Sequence, residues 1–250
     1  MQDFAVRYFR YEEVVNRLDE RAGEWGRGEL ELVRGFDNVH IHENTIVERL
    51  KSKGQAPDMG RIGVMYEDQY VYLLRDPVIF PPKSGTTEPI LATYIRLIYK
   101  NRLAGNPGIF ILSANRRNEL VLNRNFRHAT RCWLLDGQGT IGRNGESREA
   151  SVARCVCEEL GGTVKELVLL TGSYISERGL LGDRVPMYFA RVEASGPIED
   201  PTIAGHVRMT AEAYAAALLN GSHAIDGLPH HLHEGYTMSA FLLARLRGLL

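Results

Sequence analysis

Glycines, an arginine and paired carboxylates fall close together between Gly139 and Gly161. Arg154, Glu158 and Glu159 stand at i, i+4 and i+5 of a segment with helical spacing, and Cys155 lies about one turn before the glutamates. Residues three or four apart share a helix face, so Cys155, Glu158 and Glu159 are expected on one side, and Arg154 can pair with Glu158. Upstream, Gly139, Gly142 and Gly145 allow tight turns and a close approach of ligand to backbone. Amide groups at a helix N-terminus favour anions. A glycine loop feeding a helix with two carboxylates suits a divalent cation holding a diphosphate. Hard oxygen ligands bind Mg²⁺ together with substrate phosphates, and the metal then neutralises charge and activates water. An adjacent glutamate pair near a helix end is, on its own, usually solvated surface; the order of the whole segment is what marks a site.

That order resembles the Nudix signature, G-x5-E-x7-R-E-U-x-E-E-x-G-U. Glu146 stands at the first glutamate, eight residues before Arg154, and Glu158, Glu159 and Gly161 match the later positions. Three departures stand out. Gly139 precedes Glu146 by one residue too many, so Thr140 fills the expected slot. Gly162 replaces the final aliphatic. Cys155 replaces the glutamate after the arginine. Outside the box, DPVIFPPKSG with TYIRLIY, ELVLNRNFRHATRCWLLDGQG, SYISERGLLGDRVPMYFA and the tail HEGYTMSAFLLARLRG resemble segments of the ADP-ribose and nucleotide-sugar diphosphatases.

The resemblance covers roughly residues 60–250. It implies an α/β/α sandwich with a mixed sheet and a metal-dependent hydrolase acting on a nucleoside-diphosphate-linked substrate. Mg²⁺, or Mn²⁺, would be held by Glu158, Glu159 and Glu146. Arg154 would orient the carboxylates, and Asp183 lies near a position that is often acidic and catalytic in the subgroup. Arg127 stands at the arginine of the strand that runs into the box and would contact substrate, with Gly139 in the loop beside it. Homodimerisation is implied as well.

Cys155 puts the hydrolytic reading under tension. A thiol has a free pKa of about 8.5 and is a poor ligand for Mg²⁺. Neighbouring glutamates disfavour the thiolate further, which argues against a general base. Loss of such a base commonly costs about 10²–10⁴ in rate. Either another carboxylate supplies the function, with Asp183, Glu177 and Glu146 as candidates, or the domain binds a nucleotide or a protein partner without hydrolysing a diphosphate. An accessory biosynthetic enzyme with altered chemistry is a further variant. No histidine lies beside Cys155 in sequence, so nucleophilic catalysis is not indicated.

The surrounding elements read as mixed α/β. Residues 1–60 are charged, with a short helix expected over Tyr11–Glu20, and form an N-terminal extension ending in the linker GQAPDMG. The Nudix-like domain then takes residues 61–250. Strands are expected at IGVMY, QYVYLLRDPVIF, ILATYIRLIY, IFILSA, LVLNRNF, CWLLD, VKELVLLTGSYI and VPMYFARVEA. Ser147 should cap the box helix, with Ala150, Ala153, Val156, Cys157 and Leu160 as its apolar stripe and Gly161-Gly162 as its stop. Further helices are expected over 211–221 and from Thr237 to Leu250.

The 250 residues carry 30 basic and 31 acidic side chains, a net charge of −1, which implies neither a nucleic-acid coat nor a membrane surface. Three cysteines, an odd and low number, argue against a disulfide framework and fit a reducing, cytoplasmic setting. No apolar run approaches roughly 18 residues, so no transmembrane helix is expected. His40 and His42 have strand-like spacing, and His230, His231 and His233 make a second cluster; both read as solvated loops rather than metal sites. Trp133 reads as core, and the tyrosines of residues 66–72 as sheet packing.

Overall fold

Phe4, Tyr8, Tyr11 and Val15 recur at helical spacing, and all are buried. They form one face of α1 (Gln2–Leu18), longer in the N-terminal direction than the sequence pattern indicates. The computed structural model describes residues 2–18, 20–177, 179–194 and 196–250. The chain divides into two compact units: residues 1–103 with 177–182, and residues 104–176 with 183–250. The division thus falls at 103/104, not at 60. The strands after the linker pack on α1 and belong with it.

The first unit continues with β1 (Glu31–Leu32), α2 (Phe36–Ser52), β2 (Gly63–Glu67), β3 (Val71–Phe80), β4 (Ile90–Tyr99) and α3 (Lys100–Leu103). The sheet is antiparallel, with β3 between β4 on one side and β1 and β2 on the other. Tyr11, Val14 and Val15 of α1 pack on Tyr72, Leu74 and Ile98. Buried Asp76 accepts from the Tyr11 hydroxyl at 2.7 Å and pairs with Arg96. His40 and His42 lie on α2, not on a strand or loop, and His42 is buried with Nε2 2.8 Å from the Ala92 carbonyl. Of the tyrosines in 66–72, Tyr72 is buried, whereas Tyr66 and Tyr70 are exposed.

The second unit holds β5 (Gly108–Ala114), β6 (Glu119–Arg127), β7 (Cys132–Asp136), β8 (Gln138–Ile141), α4 (Arg148–Leu160), β9 (Gly162–Tyr174), β10 (Val185–Ala194), β11 (Ile203–Thr210), α5 (Ala211–Asn220), β12 (Ser222–Ile225), β13 (Leu228–His231) and α6 (Gly235–Leu246). Its mixed sheet runs β12-β13-β7-β6-β5-β10-β9, with β11 also on β6 and β8 also on β5. The β5–β10 and β13–β7 pairs are parallel, the others antiparallel.

Near-continuous apolar strands are the mark of a sheet covered on both faces. Alternate residues of β5 and β10 do face opposite ways. Ile109, Ile111, Tyr188, Ala190 and Val192 pack on Val152, Cys155, Val156 and Leu160 of α4. Phe110, Leu112, Met187 and Phe189 pack on Tyr214 and Ala217 of α5 and Ala240 and Ala244 of α6. The result is an α/β/α sandwich with a mixed sheet. Among the described residues, no helix is long and apolar enough to cross a membrane.

Candidate functional site

Ser147 caps α4, accepting from the Ala150 N–H at 3.1 Å. Gly161 ends the helix at φ 58°, and a Cβ there would meet the Gly196 carbonyl at 2.3 Å, so only glycine fits. The buried stripe is Ser151, Val152, Cys155, Val156, Glu159 and Leu160. Ala150, Ala153 and Cys157 lie outside it, which corrects the stripe drawn from sequence by about one position.

This rotation separates the two adjacent glutamates. Glu158 lies at the rim, where Arg154 Nη1 donates to it at 3.1 Å and Arg143 Nη2 at 3.1 Å. Glu146 is held by Arg154 Nε and Nη2, each at 2.9 Å, by the Arg143 N–H at 3.0 Å and by the Ser151 hydroxyl at 2.7 Å. Donation from Arg154, then from the Arg143 N–H and Ser151, holds its carboxyl far below the usual range. The Arg154 guanidinium is completed by Thr140 Oγ1 and the Ile141 carbonyl. It ties the loop to the helix, as well as pairing with Glu158.

Glu159 is in a different environment. It is 7% exposed. Asn123 Nδ2 of β6 donates to Oε2 at 2.6 Å, Cys155 Sγ to Oε1 at 3.3 Å, and the Gly139 N–H also donates to it. Burial outweighs these donors and pushes the carboxyl up to about 7. Burial, with Glu159 beside it, raises the Cys155 thiol far above its ordinary value. Gln138 Nε2 donates to the Val121 carbonyl at 3.0 Å and lies 3.4 Å from Asn123 Oδ1. The centre of the box is therefore a buried, hydrogen-bonded cluster of Cys155, Glu159, Asn123 and Gln138.

This donor set does not fit the divalent cation expected from the sequence. Mg²⁺ needs several oxygen ligands that are ionised or otherwise available. Glu146 and Glu158 are already matched by guanidinium groups, both oxygens of buried Glu159 are taken by Asn123 and Cys155, and a thiol, a poor ligand for Mg²⁺, fills the fourth position. Among the described residues, no three His, Cys, Asp or Glu side chains come together as a metal site.

The remaining sequence candidates are spread out. Glu177 belongs to the first unit, where its carboxylate accepts from the N–H groups of Gly179, Leu180 and Leu181. Asp183 belongs to the second unit, half-buried, where its charge adds to burial in raising the Tyr236 phenol. Arg127 projects from the end of β6, with Nε 2.9 Å from Asp136 Oδ2 and Nη2 also donating to that oxygen. Asp136 is buried, and burial, opposed by Arg127, pushes its carboxyl up to about 6.

Asn123 and Asp136 are opposite one another in the β6–β7 register, so the Arg127–Asp136 pair adjoins the Asn123–Glu159 pair. Sequence reading passed over Asn123, Asp136 and Gln138. Asn123, Asn125 and Arg127 were the available signal: polar residues at i, i+2 and i+4 of an otherwise apolar strand. Arg131 and His128 are exposed, and Trp133 packs edge-on to Phe126 and tilted against buried His230. His230 is thus not part of a solvated loop. A groove of about 280 Å³ opens beyond the end of α4, lined among others by Cys157, Gly161, Thr163 and Glu193, with none of the candidates above on its wall.

No protein-family model and no curated protein matches the chain. Among solved structures it is similar to one described as the crystal structure of an ADP compounds hydrolase, with 17% sequence identity and a TM-score of 0.57, over 75% of this chain and 92% of that one. Identity this low speaks to architecture alone, and on it the chain has a Nudix-like fold.

Proposed function

We propose that this chain uses its Nudix-like fold to bind a nucleoside-diphosphate-linked compound of the ADP-ribose or nucleotide-sugar type, without cleaving it by the divalent-metal route. The observation that carries this reading is the state of Glu159, buried against Cys155 and Asn123 while Arg154 and Arg143 neutralise Glu146 and Glu158. The ligand class rests on the box resemblance, the fold likeness and the half-exposed guanidinium of Arg127 beside the box.

A second reading keeps hydrolysis of the same ligand class with Mg²⁺ or Mn²⁺. It is favoured by the order of Glu146, Arg154, Glu158, Glu159 and Gly161 along the chain, which matches the box at those positions.

One experiment separates the two. Titrate ADP-ribose and a panel of nucleotide sugars into the protein by calorimetry, and in parallel follow nucleotide release with Mg²⁺ and with Mn²⁺. Binding without release, unchanged by either metal, is the expected result. Metal-dependent release that is lost in Glu159→Gln would establish the hydrolase. Absence of binding to every member of the panel leaves the protein-partner role as the use of the fold.

A further inference from the structure

β4 pairs with β3 along one edge, and an open strand edge leaves a row of N–H and C=O groups to be matched. At Leu97 both are matched by a segment far along the chain. The Leu97 N–H donates to the Leu180 carbonyl at 2.9 Å, and the Leu97 carbonyl accepts from the Gly182 N–H at 3.3 Å, which makes a short parallel bridge to Leu181. Arg102, on α3 just after β4, closes the arrangement. Its Nη1 donates to the Gly182 carbonyl at 2.5 Å, and a Cβ at Gly182 would lie 2.8 Å from that nitrogen.

The guanidinium is also held on its other side. Nη2 donates to Glu20 Oε1 at 2.7 Å, and Glu20 Oε2 accepts from Arg96, which pairs in turn with buried Asp76. The side chains of Glu20, Arg96 and Arg102 are mostly buried. Charge-assisted hydrogen bonds are the stronger kind. A planar fork fixed by an ion pair at one nitrogen presents the other in a set direction, here toward the Gly182 carbonyl.

The segment that docks is a preformed piece. The Glu177 carboxylate accepts from the N–H groups of Gly179, Leu180 and Leu181, so the turn is held by its own groups. Leu180 is 42% exposed, and apolar burial adds little to the attachment. Residues 177–182 belong to the first unit, while the chain before and after them belongs to the second. A segment fastened by a few hydrogen bonds and little burial opens at a lower free energy than the domain that carries it.

The geometry points to a strap: Leu180–Gly182 docks on the edge of β4 as a detachable strand, with Arg102 as its clasp and Glu20 as the residue that sets the clasp. The strap goes beyond the ligand class proposed above and does not depend on it. While it is docked, Glu177 serves its own turn. Release of Gly182 loosens the chain that leads directly into Asp183. The two carboxylates that the sequence offered in place of the missing glutamate therefore stand at either end of one clasped segment.

The test is amide-resolved hydrogen exchange on the full chain without ligand. The Leu97 and Gly182 amides report docking, because each bonds across the strap. In Arg102→Ala both are expected to exchange about tenfold faster or more, while amides of β3 keep their wild-type rates. Glu20→Gln, which leaves an acceptor but no charge, should give a smaller rise at the same two amides. Gly182→Ala, which crowds the guanidinium and leaves the ion-pair residues in place, should reproduce the local rise and guards against a poorly folded arginine variant. Acceleration spread evenly over β3 and β4 would mean that Arg102 stabilises the whole unit and that no strap opens by itself. Wild-type rates at Leu97 and Gly182 in Arg102→Ala would overturn the clasp, and wild-type rates in Glu20→Gln would overturn the part given to the ion pair.

Discussion

Cys155 lies one helical turn before Glu159 and donates its thiol hydrogen to Oε1 at 3.3 Å. In the sequence Glu159 reads as a metal ligand, with Glu158 and Glu146, and Cys155 as a residue ill suited to hold Mg²⁺. In the fold Cys155 and Glu159 are a buried hydrogen-bonded pair, and the carboxyl that carries it takes up its proton near neutral pH. The behaviour of this pair in solution distinguishes a structural box from a metal site.

Placing a second carboxylate at Cys155 should create the missing demand for a cation. Two carboxyls in contact cannot both ionise in a buried site, and glutamate is larger than cysteine in a packed interior. Cys155→Glu is expected to destabilise the chelator-treated protein by about 1–3 kcal/mol. Adding Mn²⁺ should restore part of that loss, while leaving the melting of wild type unchanged. Equal stabilisation of both proteins by Mn²⁺ would mean that the wild-type site already takes a metal.

Glu159 also predicts a pH dependence with a definite sign. Its folded value of about 7 stands above the ordinary 4.5. Between those limits the folded state binds more protons than the unfolded state, so stability falls as pH rises through that window. At about 1.4 kcal/mol per unit of pH, the window is worth about 3 kcal/mol. Asp136, raised to about 6, slopes in the same direction, so the reading is a difference between two proteins. Unfolding of wild type and Glu159→Gln by urea should give curves that converge near pH 4.5 and separate toward pH 8, with the glutamine variant the more stable. Parallel curves would show that Glu159 is ionised throughout.

Arg154 holds the segment before α4 by four hydrogen bonds, to both Glu146 oxygens, Thr140 and the Ile141 carbonyl, and makes a fifth to Glu158 within the helix. Arg154→Lys keeps the charge but loses the planar fork. It should lower the melting temperature by roughly 2–4 °C, the equivalent of about 1 kcal/mol in a chain of this size. Hydrogen exchange should quicken in residues 139–147 and remain unchanged in β10. Exchange that rises uniformly would deny the loop-anchoring role.

The strands of the sandwich were largely legible because their chemistry is local. β4 and β10 match the apolar runs residue for residue, since polar or turn-forming residues close each end. The start of α1 was missed because its buried face uses Phe4 and Tyr8, spaced among charged residues, and gains its burial from α2, which lies far along the chain. The box residues were found by spacing, but spacing could not assign their environments. Which glutamate is buried depends on where the sheet lies, and Asn123, which fixes Glu159, arrives from a strand 36 positions away. Asp136 and Gln138 were invisible for the same reason: each looks like the end of a strand until the register sets it beside Asn123.

The three cysteines offer the most direct look at whether the box opens. Cys157 is exposed, Cys132 is half-buried and Cys155 is buried. Thiolate is the reactive form, and burial, with Glu159 in contact, holds the Cys155 thiol protonated well beyond the usual range. Alkylation of the native protein at about pH 8 should therefore label Cys157 first and Cys132 more slowly. Cys155 should react only at the rate at which the second unit unfolds, the same rate seen for slow amide exchange in α4. Rapid alkylation of Cys155 in folded protein would mean that α4 separates from the sheet often enough to expose Glu159 to solvent. A metal could then reach the pair, and the hydrolytic reading would regain its footing.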